Sequence, residues 1–203
     1  MAIIAKSSDT VGNPVSEGVH VAICIRVVEL GDQMNERFGN VQNKIILTWE
    51  VPNDTVIFEG EERPKLISKE YTLSLGTKAK LREHLEAWRN KKFSEDELDG
   101  FDMINVLGKA CQLQILHNDK GYASIGSVMS LPKGTVAPQA VNETIYFDLS
   151  SDDSLALMDK LPEWVRDKVK LSAQYLNLTS AQVDASEVDE LEEVEPSDEL
   201  LPF

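Results

Sequence analysis

The sequence predicts a mainly β protein: a five-stranded Greek-key barrel with one helix between its third and fourth strands, then C-terminal helices and an acidic tail. Three observations predict it. Short β-branched segments alternate apolar and polar residues with a period of two. Between residues 77 and 90 the period switches to that of a helix. Acidic charge also collects at one end: residues 181–203 hold nine Asp and Glu and no Lys or Arg.

Residues 1–17 read as a flexible N-terminal arm, small and polar and interrupted by Gly12 and Pro14. Gly18–Leu30 (GVHVAICIRVVEL) reads as the first strand, with Val19, Val21, Ile23, Ile25 and Val27 on one parity as its inner face. Gly31–Asn43 carries Gly31, Asn35, Gly39 and Asn40 and reads as a hairpin loop. Lys44–Val51 is the second strand, alternating through Ile45, Leu47, Trp49 and Val51. Pro52–Pro64 reads as a polar, acidic connection, and Leu66–Leu75 as the third strand.

Thr77 is the expected N-cap of the helix, whose Leu81, Leu85 and Trp88 recur at helical spacing through Asn90. Ser94–Leu107 forms a second amphipathic stretch, opened by a capping box of Ser94 and Glu97. Strands four and five are Ala110–His117 and Gly121–Leu131, joined by the tight turn Asn118-Asp119-Lys120-Gly121. Three strands, a helix and two strands is the order of the OB-fold, which binds oligonucleotides across its second and third strands and nearby loops. Residues 18–135 are assigned to that domain and 136–178 to a connector with a helical extension. There Asp152–Leu161 and Pro162–Leu176 are helical, and Trp164, Val165 and Val169 form an apolar stripe. Residues 179–203 are expected to be a disordered, partner-binding tail.

The formal charge of -15 sits unevenly, with -9 of it in the last 23 residues, so the barrel itself is near balance and has room for a basic groove. Cys24 and Cys111 lie far apart in apolar runs and read as reduced, buried thiols, which suits a cytoplasmic setting. No run is long enough to span a bilayer, and no signal peptide is expected.

A catalytic reading finds no support. The chain has no phosphate-binding loop and no dinucleotide fingerprint. His20, His84 and His117 are scattered, and Glu95, Asp96, Glu97, Asp99 and Asp102 read as a solvated acidic stretch. No enzyme activity, metal or cofactor is therefore expected.

Binding a single strand without sequence preference needs cations along the backbone path and aromatic faces for the bases. Arg37 and Phe38 supply both in the first hairpin loop, followed by Lys44. Arg26 lies on the outer parity of the first strand. Lys120 lies in the turn between strands four and five, and Tyr122 follows it. Lys69 and Tyr71 complete the candidate set, although Tyr71 alternates with Ile67 and Leu73, so its ring reads as core with a hydroxyl at the rim. Trp49 and Trp88 read as core. Lys78, Lys80, Arg82, Lys91 and Lys92 read as a solvated helix face.

Three segments resemble the single-stranded DNA-binding and replication-associated proteins of tailed phages: KLREHLEAWRNKKF (80–93), GFDMINVLGKACQLQILHN (100–118) and LPEWVRDKVK (161–170). The resemblance spans roughly residues 18–176. It implies an OB-type fold, sequence-tolerant strand binding in phage DNA replication and recombination, and no chemistry.

The terminal DASEVDELEEVEPSDELLPF is similar to the C-terminus of bacterial single-stranded DNA-binding proteins, an acidic segment closed by Pro-Phe. That likeness makes Asp198, Glu199, Leu200, Leu201, Pro202 and Phe203 a tip for replication or recombination proteins, with Leu200-Leu201 departing from the usual tip. The charge segregation further suggests that the tail competes with phosphate for the barrel. RNA binding and a protein-protein adaptor role are the alternatives. Residues 1–17 or 152–176 are the segments that would mediate contacts in a homo-oligomer.

Overall fold

The computed structural model describes residues 13–36, 38–151 and 153–180. Six strands form one sheet: β1 (Gly18–Asn35), β2 (Asn40–Phe58), β3 (Glu61–Thr72), β4 (Ala110–His117), β5 (Ala123–Met129) and β6 (Ile145–Phe147). The order along the sheet is β3-β2-β1-β4-β5, all antiparallel, and β6 pairs in parallel with β1. The ends of this path approach one another. Lys69 Nζ on β3 donates to the carbonyl of Ile125 on β5 at 2.8 Å, and the helix α1 (Lys80–Arg89) packs on both strands. A mainly β fold with few helices is thus what the alternating pattern encodes.

The interior is filled by Ala22, Cys24 and Val27 of β1, alternate residues of β2 from Ile45 to Val51, and Leu81, Leu85 and Trp88 of α1. Trp49 is fully buried with its ring centroid 5.9 Å from that of Trp88, whose indole N–H donates to the Ala110 carbonyl. The inner face of β1 differs from the expected one. Val19 is exposed, and the even-numbered Ala22 and Cys24 point inward until a bulge between Cys24 and Arg26 returns the odd-numbered Val27 to the interior. One inserted residue flips every side chain that follows, which a strict period of two does not anticipate.

Several expected loops are strand. β1 and β2 continue through residues 31–35 and 40–43, so the first hairpin is a protruding two-stranded arm with a short tip. Residues 52–64 are not a connection either. β2 and β3 run on past a bulge at Val51/Thr55 to a turn at Glu59-Gly60, where both residues have positive φ (52° and 84°) as tight hairpin turns require. Pro64 is accommodated beside that bulge on a strand at the end of the pairing path.

The helix starts at Lys80 after an Ala79 N-cap with no side-chain bond; Thr77 lies in the turn before it. The Ser94–Glu97 capping box is present, but its helix α2 (Glu95–Asp99) stops at Gly100, and a 3-10 turn over Met103–Val106, capped by Asp102, follows.

Residues 13–17 are held, not loose: Val15 is buried, Ser16 donates to Asp54, and Lys65 Nζ donates to Asn13 and to the Pro14 carbonyl. The segment after β5 folds back as a second layer on the outer face of β1 and β2. It contains β6, the short α3 (Ser154–Leu157), α4 (Glu163–Lys170) and a helix over residues 173–180. Phe147, Leu149, Leu161, Val165 and Val169 of this layer pack on Val28 and Leu30 of β1 and Ile46 of β2. Among the described residues no helix is long and apolar enough to cross a membrane.

Candidate nucleic-acid interface

Register places the hairpins at two ends of the molecule. At the level of Ile23, β1 faces Glu50 on β2 and Ala110 on β4. From there β2 runs eight residues to Phe58 and β4 seven residues to His117, both toward the Gly18 end of β1. The β1–β2 tip around Phe38 lies at the opposite end. The 18 residues of β1 amount to about 55–60 Å of strand contour at about 3.3 Å per residue.

Each of the three tips carries an exposed aromatic ring. Phe38 is 69 % exposed at the β1–β2 tip, beside the exposed cross-strand pair Met34 and Val41. Phe58 is 54 % exposed at the β2–β3 tip, with the Arg63 guanidinium 5.4 Å from its ring centroid. Tyr122 is 56 % exposed at the β4–β5 tip, where Asn118 Oδ1 accepts from the backbone N–H of both Lys120 and Tyr122 and fixes the turn. Among the described residues one other aromatic, Trp164 on α4, reaches comparable exposure, so aromatic exposure concentrates at hairpin ends.

The candidates named from sequence do not form one surface. Phe38 sits at one end, and Lys120 and Tyr122 at the other. Arg26 and Lys44 lie along the outer face next to the second layer. Arg26 is opposite Thr48 and Ile145, and burial lowers the pKa of its guanidinium. Lys44 pairs with Glu70 at 3.5 Å, and Glu70 also receives Lys168 of α4. These two contacts hold the Glu70 carboxyl below its usual range against the opposing effect of burial.

Lys69 and Tyr71 are on the inner wall. Tyr71 is 3 % exposed, with its hydroxyl 2.8 Å from His84 Nδ1 and the Lys69 ammonium 5.9 Å from its ring centroid. Its place in the candidate set is corrected accordingly, because no ring face is open to a base. Burial, and then the neighbouring Lys80, lower the Lys69 pKa. Arg37 and the tip residues Asp198, Glu199, Leu200, Leu201, Pro202 and Phe203, with the rest of 181–203, lie outside the described residues.

Sequence reading missed the Phe58–Arg63 pair. Its signal was Val56-Ile57-Phe58, three apolar residues inside a segment that otherwise reads as polar linker. The charge around it is mixed, since Glu59, Glu61 and Glu62 share that tip and Glu61 pairs with Arg63 at 2.8 Å. Many other cations are compensated within the fold: Lys65 by Asp54, Arg82 and Lys92 by Glu86, Arg89 and Lys91 by Glu97. Among the described residues no group of three His, Cys, Asp or Glu is placed to hold a metal ion. In comparisons with known proteins, no family model and no curated protein matches the chain.

Proposed function

We propose that this chain is an OB-type protein that coats single-stranded DNA without sequence preference during phage-type replication and recombination in the host cytoplasm, and that its acidic C-terminal tip recruits replication proteins. The observation that carries the reading is the set of exposed rings at the three hairpin ends. A ring exposed at a turn contributes little to the core, and a base stacked on such a ring contributes about 1–3 kcal/mol. The strand order and the helix between β3 and β4, which packs on β3 and β5, support the OB reading. The second layer occupies the outer face of β1 and β2, so in this reading the strand contacts the hairpin ends and not that face.

Fluorescence anisotropy of labelled oligo-dT, oligo-rU and a duplex across a salt series tests it. Tight oligo-dT binding that weakens steeply with salt is expected, with duplex bound more weakly. Phe38→Ala, Phe58→Ala and Tyr122→Ala should each lower oligo-dT affinity by about 1–3 kcal/mol, or about 5- to 150-fold. A truncation ending at Ser180 should bind more tightly at low salt if the tail competes with phosphate. Absence of salt-dependent binding would leave the second reading, a protein-protein adaptor, which the internal pairing of the cations favours.

A further inference from the structure

We propose that the cleft between the barrel mouth and the helix over residues 173–180 is a docking site for a basic peptide segment of a partner protein, anchored by apolar side chains. The site is independent of the hairpin ends. The cleft has a volume of about 950 Å³ and is walled by β1, residues 98–103, β6 with the turn after it, and the helix at 174–178. Its floor is apolar, formed by Val27, Ile45, Leu81, Phe101 and Leu178 among others. Four carboxylates line it, Glu29, Asp99, Asp102 and Asp148, and no Lys or Arg does.

The carboxylates do not close on one another. Glu29 accepts from the Leu149 backbone N–H and from Asn43, and Asp148 accepts from Ser150. Asp102 caps the 3-10 turn and accepts from the Tyr146 hydroxyl at 3.5 Å. Glu29, Asp102 and Asp148 are thereby fixed in direction by neutral donors. Tyr146 registers the resulting field, since its phenol is held above the ordinary value first by burial and then by Asp102, Asp148 and Glu29.

Charge complementarity selects the occupant. An apolar floor whose charged lining residues are all acidic repels phosphate, and repels this chain's own tail with its nine acidic residues. It matches a segment that sets Leu- or Phe-like anchors in the pocket and places Lys or Arg against the carboxylates, where charge-assisted hydrogen bonds are strongest. The volume accommodates a few side chains, at the upper end of small-ligand sites.

The test uses the full chain and two labelled peptides of equal length and charge, one an amphipathic Lys/Leu sequence and the other Lys/Ser. Two variants act on the cleft from exposed positions: Asp99→Lys reverses a lining charge, and Asn177→Trp projects a ring from the helix into the opening. The Lys/Leu peptide should bind saturably and lose about tenfold in affinity with either variant, while the weak binding of the Lys/Ser peptide to the acidic tail stays unchanged. Equal binding of the two peptides, unaltered Lys/Leu affinity in both variants, or displacement of the Lys/Leu peptide by oligo-dT would each overturn the proposal. If Asn177→Trp fails to fold, Asp99→Lys alone decides.

Discussion

The sheet's inner face and the layer on its outer face bury comparable kinds of side chains but are held in different ways. The interior is made by long strands and one helix whose apolar residues recur with a regular period, and two tryptophans fill its centre. The layer is made by a three-residue strand and short helices, too short to be stable alone. Polar locks to the sheet position it. The Glu50 carboxylate, fully buried, accepts from the backbone N–H of Val141 and Asn142 and from the Asn142 side chain, at 2.9, 2.9 and 2.7 Å. Gln174 accepts from the Asp32 backbone, and Gln33 donates to the Lys168 carbonyl. Periodic apolar patterning therefore specifies the first region, and buried polar groups that need particular partners specify the second.

Substitutions should separate the two regions. The largest effect is expected from Trp49→Ala, which removes the largest fully buried side chain of the interior and should cost about 3–5 kcal/mol of global stability in urea unfolding. Gly31→Ala should act on the docking of the layer. At Gly31 φ is +70°, and an added Cβ would lie 2.7 Å from Ser172 Cβ and 2.9 Å from Leu149 Cδ1. A loss of about 1–3 kcal/mol is expected, read as faster amide exchange in β6 and α4 while the β1–β2 amides around Trp49 stay protected. Faster exchange in both regions together would show that they unfold as one unit.

Glu50→Gln keeps the shape but replaces a charged acceptor by an amide. It should cost about 1–2 kcal/mol and loosen residues 141–142 first, visible in the same exchange experiment.

A further effect belongs to the interior and depends on pH. Burial, followed by the charges of Lys80 and Lys69, lowers His84 from 6.5 to about 4, while Glu83 opposes the shift and the Tyr71 hydroxyl faces Nδ1. The unfolded chain thus binds a proton that the folded chain refuses. The stability from His84 is complete above pH 6.5 and is lost as pH falls from 6.5 toward 4. Chemical denaturation across that window should slope less in His84→Gln. Glu86 and Glu97, held at about 2 chiefly by Lys92 and by the Ser94 backbone N–H respectively, lose their contributions only below about 4.5.

Much of the sheet was legible because its elements declare themselves locally. Ala110–His117 emerged at its exact bounds, and the Ser94–Glu97 box formed as its spacing requires. What was not legible depended on partners distant in sequence. The arm at 52–64 looked like a linker because its prolines and acids disfavour strand, yet pairing of β2 with β3 carries it. β6 is too short to show a period, and its partner is 119 residues earlier in the Arg26–Ile145 pairing. For the candidate site, Phe38 and Tyr122 could be read as exposed from their polar, turn-forming neighbours. Lys44 and Lys69 could not be assigned from sequence, because Glu70 and the Ile125 carbonyl reach them only through tertiary packing.

By itself, then, the sequence determined the mainly β class, the place of the helix among the strands, the fully buried Trp49 and the segregation of acidic charge at one end. These follow from period and composition, which act over a few neighbouring residues. Tertiary structure alone decided the parity of β1, the covering of the outer face of β1 and β2, the separation of the hairpin tips to two ends, and the cleft lined by Glu29, Asp99, Asp102 and Asp148. The reason is physical: a single bulge inverts every side chain beyond it, and a surface is covered only when a distant segment supplies both apolar area and partners for buried polar groups.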